Sequence, residues 1–221
     1  MTTFWEEPEQ VQRFAEKESD HRLAELLGSF PEPGQTRVLD LGCASGRNTV
    51  LLAKSGFDFY ALDNSAPMIE KTRERVAAIT GEGAAIERVR FGAMEDLGEF
   101  ADGLFHLIVS LGVYHQARSP DQWRRALDET HRVLAPDGLM LTASFSPASQ
   151  PQGEPLRSVP GQIHMYDGFQ SGPLHLVDAS DLDSMMASYG LVPETPTKTV
   201  EVTTDEGFRV TVNGLYRKRV S

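Results

Sequence analysis

Short apolar blocks rich in β-branched residues alternate along this chain with longer stretches whose apolar residues recur at helical spacing. Arg37 to Leu41 reads as a strand, 47–54 as a helix, 59–62 as a strand, and 66–79 as a helix carrying Met68, Ile69, Val76 and Ile79. Val89 to Phe91 reads as a third strand, followed by a short helical or loop segment near 95–101. The block 107–111 is almost wholly apolar, as burial on both faces of a parallel sheet demands. Ser119 with Gln122 three residues on fits a capping box, and Pro120 sits at the first helical position. Trp123, Leu127 and Leu134 then recur on one face until Pro136-Asp137-Gly138 stops the helix, and 139–145 is a fifth strand. Strands alternating with helices through short connections predict right-handed βαβ units. The fold class is therefore α/β: a Rossmann-like, doubly wound, mostly parallel sheet.

The ends behave differently. Residues 6–28 read as two amphipathic helices, the second opened by Ser19 and closed by Gly28. Residues 146–173 hold five prolines (147, 151, 155, 160 and 173) and four glycines (153, 161, 168 and 172), too irregular for a core element and of a length typical of a lid or binding loop. After a helix over 179–189, the alternation of 197–203, the turn Asp205-Glu206-Gly207 and the alternation of 208–212 predict an antiparallel hairpin, which brings the sheet to seven strands. The whole chain, 1–221, is expected to be one domain: a helical cap (1–34), a core (35–145), an irregular lid or substrate loop (146–177), and a helix with the hairpin (178–221).

Composition narrows the chemistry. With 32 acidic and 21 basic residues among 221, the formal charge is −11, which argues against affinity won by neutralising phosphates and so against nucleic acid. No apolar run spans a bilayer and the amino terminus lacks a basic leader region, so a cytoplasmic protein without membrane association is expected. Cys43 stands alone, so neither an internal disulfide nor a three-cysteine iron–sulfur site is available. His164, Tyr166, Asp167 and His175 match no compact metal motif and read as a substrate-shaping loop; no metal is expected. Either a monomer or a homodimer is compatible with the sequence.

Strand one runs into Asp40-Leu41-Gly42-Cys43-Ala44-Ser45-Gly46-Arg47-Asn48, within which a helix begins. Small residues there let a ligand approach backbone amides at a helix amino end, outside the carboxyl edge of the sheet. The dinucleotide fingerprint is not met: Gly42-x-Ala44-x-Gly46 replaces it and Arg47 occupies the place of the third small residue. Asp63, at the end of strand two, suits two hydroxyl hydrogen bonds from a ribose.

Four ordered segments, 38–46, 61–65, 105–110 and 134–138, resemble those of the class I S-adenosylmethionine-dependent methyltransferases. The likeness covers about 37–145, and the terminal hairpin is similar to that family's antiparallel last strands. This resemblance implies S-adenosyl-L-methionine as cofactor, S-adenosyl-L-homocysteine as product and a small-molecule methyl acceptor. It implies that Gly42, Cys43, Ala44 and Gly46 line the methionine moiety and that Asp40 reaches its amino group. Asp63 would hold the ribose, Asn64 would flank the adenosine, and Leu111 would border the methionine part. The segment from Gly92 to Leu97 matches the adenine motif but carries Ala93 where the family has an acid. Met94 would then pack on the ring, and Glu95 or Asp96 would supply the missing carboxylate.

On the acceptor side the chain offers Tyr114 and His115, just beyond strand four. His115 reads either as a substrate contact, with proton removal one role open to it, or as a prop for the cofactor loop. Phe14 suggests packing of the amino-terminal helices and Trp5 a lid; Cys43 is a small core residue. The continuation Gly46-Arg47-Asn48 resembles thiol- and tellurite-directed members, a lean toward a soft nucleophile. Two further readings share these features: a nicotinamide oxidoreductase, and a catalytically silent cofactor-binding module suggested by Ala93.

Overall fold

A computed structural model of the chain describes residues 4–219. Its strands are β1 (Arg37–Leu41), β2 (Asp58–Asp63), β3 (Val89–Phe91), β4 (Phe105–Leu111), β5 (Leu134–Phe145), β6 (Arg157–Ser158), β7 (Met165–Asp167), β8 (Leu174–His175), β9 (Leu191–Thr204) and β10 (Gly207–Lys218). The α-helices are α1 (Pro8–Glu16), α2 (His21–Leu27), α3 (Arg47–Lys54), α4 (Ala66–Thr80), α5 (Glu82–Arg88), α6 (Pro120–Val133) and α7 (Ala179–Ser188). One sheet has the order β3-β2-β1-β4-β5-β10-β9, with parallel pairing from β3 to β5 and antiparallel pairing on both sides of β10. The doubly wound, mostly parallel sheet with an antiparallel terminal hairpin is therefore present.

Strand alternation builds two cores. Leu39, Leu41, Ile108 and Met140 face the layer of α6 and α7, while Val38, Leu107, Val109 and Leu141 face the layer of α2, α3 and α4. Neighbouring residues of β1 and β4 thus serve opposite faces, and continuous apolar strands follow.

The elements differ from expectation in five places. α6 ends at Val133 and β5 begins at Leu134, so Leu134 and Pro136-Asp137-Gly138 lie in the strand rather than at the end of the helix. α2 is capped by Asp20, whose carboxylate accepts from the Arg22 amide at 3.0 Å, rather than by Ser19. α5 went unpredicted because Gly81 and Gly83 bracket its start, yet it buries Ala85. Residues 146–177 include a small antiparallel sheet, β6-β7-β8, inside the irregular connection. β9 is longer than its alternation suggested because it is an edge strand, where Pro193 and Pro196 interrupt no second ladder.

The Ser119 side chain accepts from the Gln122 amide at 3.1 Å, as the capping signal implied. The Gln122 side chain does not close the box: its oxygen accepts from the Arg118 amide at 2.7 Å and its amide donates to Glu95 Oε1 at 2.7 Å. That diversion ties the start of α6 to the segment after β3.

Candidate active site

The carboxyl ends of β1, β2 and β4 open on a cleft of about 570 Å³. Its floor is the glycine loop. Gly42 and Gly46 adopt φ of +72° and +78°, and a Cβ on either would approach Val113 or Thr72 to 2.6 or 2.7 Å. Ala44 adopts φ of +47° despite its side chain, held by a 2.6 Å hydrogen bond from Thr72 Oγ1 to its carbonyl and a 2.9 Å bond from its amide to Asp63 Oδ2. Ser45 Oγ donates to the Val11 carbonyl at 2.7 Å, and the Asp20 amide donates to Asn48 Oδ1 at 3.0 Å. The amino-terminal helices are thus fastened to the loop and form one wall.

Asp63 Oδ1 accepts from the Ser65 amide at 2.9 Å. Each Asp63 oxygen keeps a second lone pair for a ligand hydroxyl. Burial pushes its pKa up against these backbone bonds, so bringing a further donor to the carboxylate is favourable.

Asp40 does not face the large cleft. Its carboxylate takes the Thr49 hydroxyl at 2.6 Å and borders a separate cavity of about 30 Å³ beside Gly42 and Leu111, with a pKa pushed up to about 6 by burial. A cation drawn to this group needs the carboxylate form, so affinity for S-adenosylmethionine is expected to fall as pH drops through about 6. Titration at pH values about one unit on either side measures this; unchanged affinity would take Asp40 out of the binding site.

At the far end, Met94 and Glu95 line the cleft. Glu95 Oε1 accepts from Gln122, while Glu95 Oε2 is buried without a partner. An unpaired buried carboxylate oxygen is costly and awaits a donor. An exocyclic amine is such a donor, and the residues here fit the cofactor although Ala93 lines neither cavity.

Of the residues expected at the site, Gly42, Ala44, Asp63, Asn64, Met94, Glu95, Leu111 and His115 border the cleft. Asp40 and Cys43 border the small cavity, and Gly46 lies under the loop against Thr72. Tyr114 requires correction. It is fully buried, its hydroxyl lies 2.6 Å from Thr130 Oγ1, its ring packs edge-on to Trp123, and it touches no part of the cleft. Tyr114→Phe is expected to cost about 1 to 2 kcal/mol of stability by thermal or denaturant unfolding and to leave cofactor affinity unchanged.

His115 is buried at the cleft wall, its ring 4.2 Å from that of Phe145 and nearly parallel to it. Its Nδ1 accepts from the Phe145 amide at 3.3 Å, so the neutral ring carries its proton on Nε2. Burial, then the neighbouring Arg209, lowers its pKa to about 3. A ring so hard to protonate is a poor base; it serves as a donor or a wall.

Phe14 lines the cleft together with Phe4 and Trp5, so its expected packing role widens; Trp5 lies 5.6 Å edge-on from it. His164 and His175 do not line the cleft: His175 stacks on Trp123 at 4.2 Å. From the irregular segment the cleft takes Pro151, Gln152, Phe169, Gln170 and Ser171 instead. Arg13, Lys17, Arg209 and Ser144 also line it, and sequence reasoning missed them. Their charges are spread over α1, its following turn and β10, without a local motif.

Residues 38–138 match the family model of a methyltransferase domain. Over this segment, 101 of the 221 residues, the chain is similar to the class I S-adenosylmethionine-dependent methyltransferases. Among relatives of the chain, an uncharacterized methyltransferase of Synechocystis sp. is 36% identical over 107 residues, which is 48% of this chain and 45% of the relative. The demethylmenaquinone methyltransferase of Clavibacter sepedonicus is 33% identical over 127 residues, 57% of this chain and 47% of the relative. The chain thus spans about half the length of these curated relatives. A Burkholderia thailandensis 1,6-didemethyltoxoflavin-N1-methyltransferase, solved with 1,6-didemethyltoxoflavin and S-adenosylhomocysteine bound, shares the fold: TM-score 0.63 at 21% identity, covering 98% of this chain and 81% of that one. Among the described residues no helix is long and apolar enough to cross a membrane.

Proposed function

We propose that this chain transfers a methyl group from S-adenosylmethionine to a small-molecule acceptor. The observation that carries the reading is one cleft lined by the glycine loop, Asp63 and the unpartnered Glu95 oxygen at one end and by His115 at the other. Gly42 and Ala44 border the methionine part, Asp40 meets its ammonium from the small cavity, Asp63 takes the ribose hydroxyls, and Glu95 takes the adenine amine while Met94 packs on the ring. The cofactor, when bound there, supplies an electrophilic methyl on a sulfonium.

The protein's part is to hold the acceptor in line and keep water away. Phe4, Trp5 and Phe14 cover one side of the cleft, and Phe145 with Phe169 the other. His115, neutral and donating from Nε2, orients an acceptor without taking its proton. This suits a nucleophile that needs no enzymic base, such as a thiolate, in keeping with the soft acceptor suggested by Gly46-Arg47-Asn48. The names of the Clavibacter and Burkholderia relatives point to small acceptors, which supports that class here.

Incubation with methyl-labelled S-adenosylmethionine and panels of thiols, phenols, amines and acids should yield a labelled product and S-adenosylhomocysteine. Cofactor binding with no release of S-adenosylhomocysteine from any panel would instead mark a silent binding module.

A further inference from the structure

Beyond its adenosine end, the cleft of this acidic chain is cationic. Arg13, Lys17, Arg47 and Arg209 all face it. Lys17 Nζ lies 4.0 Å from the centroid of the Phe14 ring, and the Arg13 guanidinium lies 5.7 Å from the same centroid. The Arg209 guanidinium lies 5.9 Å from the centroid of Phe145, the ring on which His115 stacks. Burial, followed by the charges of Arg47, Arg13 and Arg209, pushes the Lys17 pKa down to about 8, so the four cations share one neighbourhood.

Nothing nearby neutralises them. Asp20 pairs with Arg22 at 2.7 Å and reaches Arg47 at 4.0 Å, but among the described residues Arg13, Lys17 and Arg209 form no ion pair. The carboxylates lining the cleft are Asp63 and Glu95, at the adenosine end, and Glu206, exposed in the β9–β10 turn. The cofactor does not balance the cluster either. Its methionine part brings one carboxylate, which Arg47 at the glycine loop can meet, while its sulfonium adds another positive charge. Three like charges beside a sulfonium repel one another unless an anion joins them. Two uncharged groups on the same walls also lack partners: Ser144 Oγ and Gln116 Oε1 are buried with no hydrogen bond. The rings of Phe145 and Phe169 lie parallel, 5.2 Å apart.

We infer that the methyl acceptor carries an anionic group, a carboxylate or a phosphate, which Arg209 and Lys17 bind while Phe145 and Phe169 flank its body. Arg13, Lys17 and Arg209 are exposed side chains at the wall of the cleft, where charge-assisted hydrogen bonds still exceed neutral ones, and an arginine fork matches both oxyanions. The inference rests on the methyltransferase reading and names its substrate class.

Two successive calorimetric titrations test it. The full chain is first saturated with S-adenosylhomocysteine, and the complex is then titrated with benzoate, phenyl phosphate and the neutral benzamide. At least one anion should bind about tenfold or more tighter than benzamide, the stronger of the two identifying the oxyanion. Arg209→Ala should remove most of that preference and leave affinity for S-adenosylhomocysteine unchanged, and Arg209→Lys should restore part of it. Benzamide binding as well as both anions, no anion binding to the loaded protein, or an anion preference intact in Arg209→Ala would each overturn the inference. Failure of S-adenosylhomocysteine itself to bind would overturn the methyltransferase reading, and this inference with it.

Discussion

Asp63→Ala is expected to weaken S-adenosylmethionine binding by about 1 to 3 kcal/mol, the loss that follows when charge-assisted hydrogen bonds to a buried carboxylate disappear. The effect has two sources. The carboxylate offers free lone pairs to the ribose hydroxyls, and it also holds the amides of Ala44 and Ser65 at 2.9 Å each. Removing it leaves Ala44 in the left-handed region with only its carbonyl tethered, by Thr72. Asp63→Asn separates the two, because its oxygen retains one backbone contact while its amide nitrogen cannot accept the other. Calorimetry with both variants, alongside unfolding curves, checks the assignment. A folded Asp63→Ala protein that binds as tightly as the parent would remove Asp63 from the cofactor site.

Gly46→Ala should be harsher. Its backbone sits at φ of +78°, where an L side chain costs roughly 1 to 2 kcal/mol, and the added Cβ would lie 2.7 Å from Thr72 Cγ2 and 2.9 Å from Thr72 Oγ1. Overpacking adds a penalty of about 1 to 3 kcal/mol. Thr72 can yield only by releasing the Ala44 carbonyl, so the loop moves with it. Loss of about 2 to 5 kcal/mol of stability and a marked loss of cofactor affinity are expected together. Gly56 is the matched control: its φ is +74°, but no atom lies within 4 Å of its added Cβ, so Gly56→Ala should cost only the backbone part and leave binding intact.

What was legible in the sequence divides along physical lines. β1, β3 and α3 were readable to the residue, and α6 at its start, because apolar runs, proline and small residues mark those ends locally; the end of α6 was not, because apolar Leu134 continues its spacing while already pairing in β5. The glycine loop and Asp63 were singled out by their order at the ends of β1 and β2, and Glu95 or Asp96 by their place shortly after β3. Glu95 could be named as a replacement for the missing acid at Ala93, but its unpartnered oxygen follows from Gln122 binding only its other one. Tyr114 was misjudged because a residue adjacent to His115 in sequence points the opposite way, into the core toward Thr130. The cations of the acceptor end were invisible: Arg209 comes from β10 and Lys17 from the turn after α1, and only the fold brings them to one cleft.

The glycine loop with Asp63 and Glu95 is expected to take S-adenosylmethionine rather than a dinucleotide. Calorimetric titration of the full chain with S-adenosylhomocysteine and, separately, with reduced nicotinamide dinucleotide measures this directly. A saturable, one-site isotherm for S-adenosylhomocysteine that Asp63→Ala weakens is expected, with no heat of binding for the dinucleotide. Tight binding of the dinucleotide with none of S-adenosylhomocysteine would contradict it.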